Sequence, residues 1–302
     1  MEIDLVYTWC DGSEENFLNK RNLYLTSTDI DNNPSIRFEH VNEIYWSIQT
    51  VLKFLPFVRK IFIVTDNQIP NIDFDWLYDG KVVIVDHTEI IPKDLLPVFY
   101  SDVIESYIHN IPGLSEIFIY SNDDCFHTKL VNKKDIIHYT SDGKIRLKII
   151  NNFNIDVIRK KTSEYSKRIV LTADIFLSED PSIQLINNHH SKILRKSTLK
   201  WMEKSCQSYL IDLRKNRFRT DNTIQYMFLA LNIDNIMHNN IIMTNLPDAD
   251  FVEYHFGNSD YDIDRHSARF STVKKYKWCC YNSMNHSFKH VFENWIKEVL
   301  TS

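Results

Sequence analysis

Along the first 125 residues, short unbroken apolar runs alternate with stretches whose apolar residues recur at helical spacing. Residues 3–9 (Ile-Asp-Leu-Val-Tyr-Thr-Trp) read as a strand, and residues 42–55 place Ile44, Ile48, Val51, Leu52 and Leu55 on one helical face. Residues 60–65 and 82–85 are β-branched runs, 98–109 read as a helix, and 116–120 (Glu-Ile-Phe-Ile-Tyr) form a fourth strand. Continuously apolar strands separated by helices predict a parallel sheet covered on both faces. The expected fold class is therefore α/β, a Rossmann-like, mostly parallel sheet flanked by helices.

The pattern weakens over residues 127–185, which are rich in Asn, Lys, Asp and Ile. An inserted smaller α+β region is expected there, with Asp142-Gly143 as a hairpin turn. Helical spacing returns over 197–213 and over 221–232, the latter capped by Thr220 or Asp221. A last amphipathic helix is predicted for 285–300, with Phe288, Val291, Phe292, Trp295, Ile296, Val299 and Leu300 on one face. Its modest basic content favours core packing over docking on a membrane or partner. The expected organisation is one catalytic domain over 1–302. Its parts are an α/β half over 1–126, the insertion at 127–185 and a mainly helical half over 186–302.

Polar residues follow every strand of the first half at its carboxyl end: Cys10-Asp11-Gly12-Ser13, Asp66-Asn67, Asp86-His87 and Asn122-Asp123-Asp124. Asp and Asn also end strands and cap helices, which is the plain reading of each one alone. In open α/β sheets, however, ligands bind outside the carboxyl ends of the strands, and four segments meet there.

Composition narrows the chemistry. The five glycines stand too far apart for a G-x-G-x-x-G turn or a Walker loop, which excludes the common nucleotide-binding loops. The formal charge of −5 argues against a general nucleic-acid binder. The five cysteines lack C-x-x-C spacing and read as reduced thiols. No basic segment leads an apolar one at the start, and no apolar run reaches the roughly 18 residues of a span, so a cytoplasmic protein is expected. Phosphate must then be handled by side chains or a metal. The pair Asp123-Asp124 suits a hard divalent cation, Mg²⁺ or Mn²⁺. His189 or His190 suits a general base, and Arg217 with Arg219 suits bidentate phosphate binding. The plain alternatives are a turn, surface histidines and a solvated loop; Cys279-Cys280 reads as packing. Together these residue types describe a nucleotide-sugar or nucleotide-phosphate site.

The stretch Ile3-Asp4-Leu5-Val6-Tyr7-Thr8-Trp9-Cys10-Asp11-Gly12-Ser13-Glu14 resembles the opening motif of the Stealth family. The family's long second region is similar to Arg37 through Phe126, with Asn42-Glu43-Ile44, Lys60 to Asp66, Gln68-Ile69-Pro70, Leu96 to Ser101, Ile104-Glu105-Ser106, Ile111 to Glu116 and Asn122-Asp123-Asp124 as its marks. A third region resembles His189 through Gln225, and a short fourth resembles Lys277 to Ser283. The chain departs from the family at Tyr45 and Gln49, where members often carry arginines, and at Ser283, where an aspartate is usual.

The resemblance implies a GT-A-like fold and transfer of a sugar-1-phosphate. A glycan hydroxyl would attack the β-phosphorus of a UDP-sugar and release UMP. Asp123 and Asp124 would hold the metal, His189 (with His190 as runner-up) would take the proton, and Arg219 would stabilise the phosphoryl group. Asp11, Gly12, Arg37, Asn122, Arg217 and Asn282 would line the donor site. The acceptor would be a glycan or a lipid-linked oligosaccharide, met at the inner face of the cell membrane, in capsule or exopolysaccharide synthesis. A conventional glycosyltransferase and a non-catalytic glycan-binding protein are the competing readings.

Overall fold

The computed structural model describes residues 1–26, 42–151, 153–187, 191–243, 251–255, 277–282 and 289–302. Its strands are β1 (Ile3–Thr8), β2 (Val58–Thr65), β3 (Val82–Asp86), β4 (Ile117–Ser121), β5 (Cys125–His127) and β6 (Ile137–Tyr139), followed by β7 (Ile145–Ile150), β8 (Lys192–Arg195), β9 (Ile241–Met243), β10 (Phe251–His255) and β11 (Trp278–Asn282). The central sheet runs β3-β2-β1-β4-β8. Its first four strands are parallel and β8 joins antiparallel to β4. The expected α/β, mostly parallel sheet is therefore present. Two small sheets flank it: β10-β11-β5 and β6-β7-β9.

The core follows from the apolar runs. Ile3, Leu5, Val6, Ile61, Ile63, Val64, Phe118 and Ile119 are buried on both sides of the sheet. A side chain of this size contributes roughly 1.5–3 kcal/mol on burial. Helix Glu43–Phe54 covers one face with Ile44, Ser47, Ile48, Val51 and Phe54 at helical spacing, and stops before Leu55-Pro56 because a residue preceding proline disfavours α geometry. The predicted hairpin forms: Gly143 takes φ +79° and its N–H donates to the Thr140 carbonyl at 3.0 Å.

Several helix boundaries differ from the sequence reading. The stretch 98–109 divides into a helix over Ser101–Glu105 and a 3-10 turn over Ile108–Asn110. Its first residues are extended because the Phe99 N–H donates to the distant Arg217 carbonyl at 2.8 Å. The stretch 197–213 becomes helices Lys196–Ser205 and Gln207–Arg214, broken at Cys206 with φ −113° and ψ 27°. The helix expected over 221–232 runs over Tyr226–His238, because Asp221 is paired with Lys167 at 2.7 Å and Gln225 supplies the cap by accepting from the Phe228 N–H at 2.5 Å. The last helix spans Lys289–Thr301, residues 285–288 lying outside the described set. Phe292, Trp295, Ile296 and Val299 are buried, and the Phe292 ring meets that of Phe126 at 5.0 Å. Its apolar face thus belongs to the core. Among the described residues no helix is long and apolar enough to cross a membrane.

Candidate active site

The strand order reverses between β1 and β4, and each continues from its carboxyl end into a polar segment. This is the topological switch point at which open α/β sheets place their ligands. After β4, the Cys125 N–H donates to the Asn122 carbonyl at 3.2 Å, closing a β-turn with Asp123 and Asp124 in the middle. Asn122 is exposed, while both aspartates are half-buried. Adjacent turn positions do not aim their side chains alike. Asp124 reaches the thiols of Cys280 and Cys125, at 3.4 and 3.7 Å. Asp123 instead acts on Cys10. Burial pushes that thiol up to about 12, with the charges of Asp123, Asp11 and Asp66 adding and Arg21 opposing. Burial also pushes the Tyr7 phenol up, with the charges of Cys125 and Asp123 adding.

On the β1 side, Asp11 Oδ1 accepts from the Ser13 N–H at 2.8 Å and the Ser13 hydroxyl at 2.6 Å, a turn that leads into helix Glu15–Tyr24. The Gln68 side chain clamps the same residue, accepting from the Asp11 N–H at 3.0 Å and donating to its carbonyl at 2.9 Å. Gly12 lies in this turn and is not among the glycines with positive φ. Arg21, on that helix, is buried beside Cys10, and burial lowers its basicity. It is a cation at the crevice that sequence reasoning missed.

The other two strand ends are structural. Asp66 pairs with Lys20 at 2.8 Å. Asp86 caps helix His87–Ile90, accepting from the Thr88 N–H at 2.9 Å, and also accepts from the Asn67 N–H at 2.6 Å. Burial holds the neighbouring His87 down at about 4.

Arg219 sits at the head of a buried polar chain. It donates to the Ser101 hydroxyl at 3.2 Å and lies 3.8 Å from Glu164. Glu164 lies 3.7 Å from Arg168, which pairs with buried Asp102 at 2.6 Å. Beyond Asp102 comes Glu105, which accepts from the Tyr120 hydroxyl at 2.7 Å; that hydroxyl also meets Thr8 Oγ1, at the end of β1, at 2.9 Å. Burial pushes Glu105 up to about 7, Asp102 adding and Tyr120, Lys192 and Arg168 opposing. Its Oε2 atom is buried without a hydrogen-bond partner. Glu105 entered the sequence reading only within the family mark Ile104-Glu105-Ser106 and not as a site residue; the signal was a carboxylate beside the apolar residues Val103 and Ile104.

Arg217 is placed differently from Arg219. Its guanidinium donates to the carbonyls of Leu95 at 3.3 Å and Pro97 at 2.7 Å, and stacks 4.6 Å over the Tyr24 ring. Arg37, His189, His190 and Ser283 lie outside the described residues. The backbone of Asn282 pairs with His255 in the β10–β11 ladder. The register of β8 sets Lys192 opposite Tyr120, and Ser191 Oγ lies 2.8 Å from Ser121 Oγ. The described chain therefore resumes after His190 beside the carboxyl end of β4.

A family model matches this region: residues 37–145 match the Stealth protein conserved region 2. The chain carries a conserved region of the Stealth family. The matched segment starts where the sequence reading put it and runs past Phe126 into the β6–β7 hairpin. Capsular polysaccharide phosphotransferase cps1A of Actinobacillus pleuropneumoniae is 34% identical over 247 residues, covering 74% of this chain and 62% of its own length. Capsular polysaccharide phosphotransferase fcs1 of Haemophilus influenzae is 45% identical over 157 residues, covering 49% of this chain and 41% of its own. The chain thus spans less than two thirds of the length of these curated relatives. Among solved structures, the galactosyltransferase LgtC aligns over 99% of this chain and 95% of its own at 10% identity, with a TM-score of 0.43. The fold assignment rests on the strand order described above.

Proposed function

We propose that this chain transfers a sugar-1-phosphate from a UDP-sugar to a hydroxyl of a capsular or cell-surface glycan, releasing UMP. The observation that supports this most is the crevice at the β1/β4 switch point, bordered by Asp123, Asp11 and Arg21, with Asp123 and all of β4 inside the family-matched segment. The names of the relatives agree with a phosphotransferase. Phosphoryl transfer needs little covalent work from a protein; it needs alignment and charge stabilisation. Arg21 and Arg219 would meet phosphate oxygens, Arg219 being steadied by Ser101 and Glu164. His189 would accept the acceptor hydroxyl's proton.

A hard divalent cation, Mg²⁺ or Mn²⁺, is implied for such a donor. Mg²⁺ commonly binds through one or two carboxylates plus substrate phosphates and water. Asp123 fits that role, and the charge of Asp11 acts on the same thiol, Cys10. Asp124 is turned towards the Cys280 and Cys125 thiols. When bound, the cation would neutralise charge on the diphosphate. The acceptor is a glycan or a lipid-linked oligosaccharide met at the inner face of the cell membrane, and the site is cytoplasmic.

A donor labelled with ³²P at the β-phosphorus tests the reading. Label should enter the glycan while UMP is released, and His189→Ala should abolish this. Label found only in UDP would make the protein a conventional glycosyltransferase. No turnover with any UDP-sugar would leave a glycan-binding protein.

A further inference from the structure

Cys125 and Cys280 are direct partners in the antiparallel β5–β11 ladder. Residues opposite one another in such a ladder project to the same face, so the two thiols meet. Asp124 joins them, and the three donor atoms all lie within 4.8 Å of one another. Among the described residues this is the one such group of three His, Cys, Asp or Glu side chains. Both cysteines are buried, at 3% and 0% exposure. Cys279 points away, its thiol donating to the Phe126 carbonyl at 3.6 Å. The trio stands on rigid elements. The Ser47 hydroxyl on helix Glu43–Phe54 donates to the Cys125 carbonyl at 2.5 Å, and the His127 N–H donates to Thr50 Oγ1 at 3.1 Å.

We infer that Asp124, Cys125 and Cys280 form a binding site for a thiophilic divalent cation of the zinc class, beside the crevice and separate from the hard cation proposed there. Two sulfurs and one carboxylate oxygen are a soft-to-borderline donor set, which selects Zn²⁺, Co²⁺ or Cd²⁺ over Mg²⁺. The spacing fits as well. Zn–S bonds of about 2.3 Å and Zn–O bonds of about 2.1 Å at tetrahedral angles put ligand atoms roughly 3.5–3.8 Å apart. Asp124 Oδ1 lies 3.4 Å from one sulfur and 3.7 Å from the other. Little movement is needed to close the ligands on an ion. Three protein ligands leave a fourth position for water or a ligand oxygen, as in open zinc sites. Binding is balanced by loss of both thiol protons to solvent, so the two thiolates and the carboxylate hold the dication with a net charge of −1. The inference rests on side-chain geometry and does not depend on the proposed reaction.

Cobalt titration of the full chain, reduced and stripped with chelator, tests it. Co²⁺ should give a thiolate-to-cobalt charge-transfer band that saturates at one equivalent. One equivalent of Zn²⁺ should erase it, and a large excess of Mg²⁺ should leave it. Cys280→Ser and Cys125→Ser should each remove the band, Asp124→Asn should weaken Co²⁺ binding roughly 10-fold or more, and Cys206→Ser, at a helix break elsewhere, should keep it. Zn²⁺ but not Mg²⁺ should raise the melting temperature of the unmutated chain, a reading that needs no variant to fold. Absence of the band, its survival in Cys280→Ser, or a Cys125–Cys280 disulfide forming in place of metal binding would overturn the inference.

Discussion

The two ends of β1 place acidic residues in opposite circumstances. At the amino end, Asp4 is fully buried and fully matched. Arg59 donates to both its oxygens, at 2.9 and 2.7 Å, and the Ser115 N–H adds a bond at 2.7 Å. Burial alone would raise its pKa, but those partners hold the carboxyl below the usual range. At the carboxyl end the balance runs the other way. Asp123, Asp11 and Asp66 crowd one thiol, Glu105 is pushed up, and Arg21 is buried among them. One carboxylate held by one arginine marks the first edge, and several acidic groups gathered round a buried thiol and a buried arginine mark the second. Clustered, perturbed titratable groups are the commoner mark of a functional site.

The largest effect should come from the carboxyl edge. Asp123→Ala should cut UMP release about 10³-fold, worth about 4 kcal/mol of transition-state stabilisation, with the denaturation midpoint nearly unchanged. An equal loss of folding stability would erase the contrast. At the amino edge, Arg59→Ala should lower stability by about 3 kcal/mol, since it strands a buried carboxylate; urea unfolding reads this, and an unchanged midpoint would contradict it.

A pH series sharpens the comparison further. Glu105 is held at about 7, above its ordinary value of 4.5, so the stability tied to its protonated form is complete below 4.5 and lost as pH rises through 7. Glu105→Gln should therefore gain on the unmutated chain by about 1–3 kcal/mol between pH 5 and pH 8. His87 and His109, held near 4 by burial, run oppositely. Their contribution is present above 6.5 and lost as pH falls towards 4, so the variant should keep its acid limb. The smallest effect is expected of Arg217→Ala, about 1 kcal/mol of stability from its lost carbonyl bonds. A loss in activity larger than that of Arg219→Ala would reverse the roles given to the two arginines.

The sheet was legible in the sequence because buried parallel strands are continuously apolar, as Ile61-Phe62-Ile63-Val64 and Ile117-Phe118-Ile119 are. The helix boundaries were less so, because distant partners decide them: Arg217 pulls Phe99 into extended backbone, and Lys167 takes Asp221 from its capping role. Of the site, the turn at Asn122–Cys125 could be found from one strand end. Its division of labour could not, since the thiol that meets Asp124 lies 156 residues away. Arg21 and Glu105 were hidden for a related reason. Arg21 sits on a helix with exposed neighbours, Glu105 at the end of a short helix of buried and half-buried residues, and only the packing shows what each side chain meets.

The order of the central sheet also sets a timetable for a chain emerging from the ribosome. β1, β2 and β3 can pair as soon as residue 86 is available, but β1 is a middle strand and its other edge stays open until residues 117–121 arrive. β4 in turn waits for residues 192–195, through the whole synthesis of the 127–185 stretch. Unpaired strand edges are templates for association with other chains. The nascent protein thus carries an open strand edge, first of β1 and then of β4, from the pairing of β1 to β3 until residues 192–195 arrive.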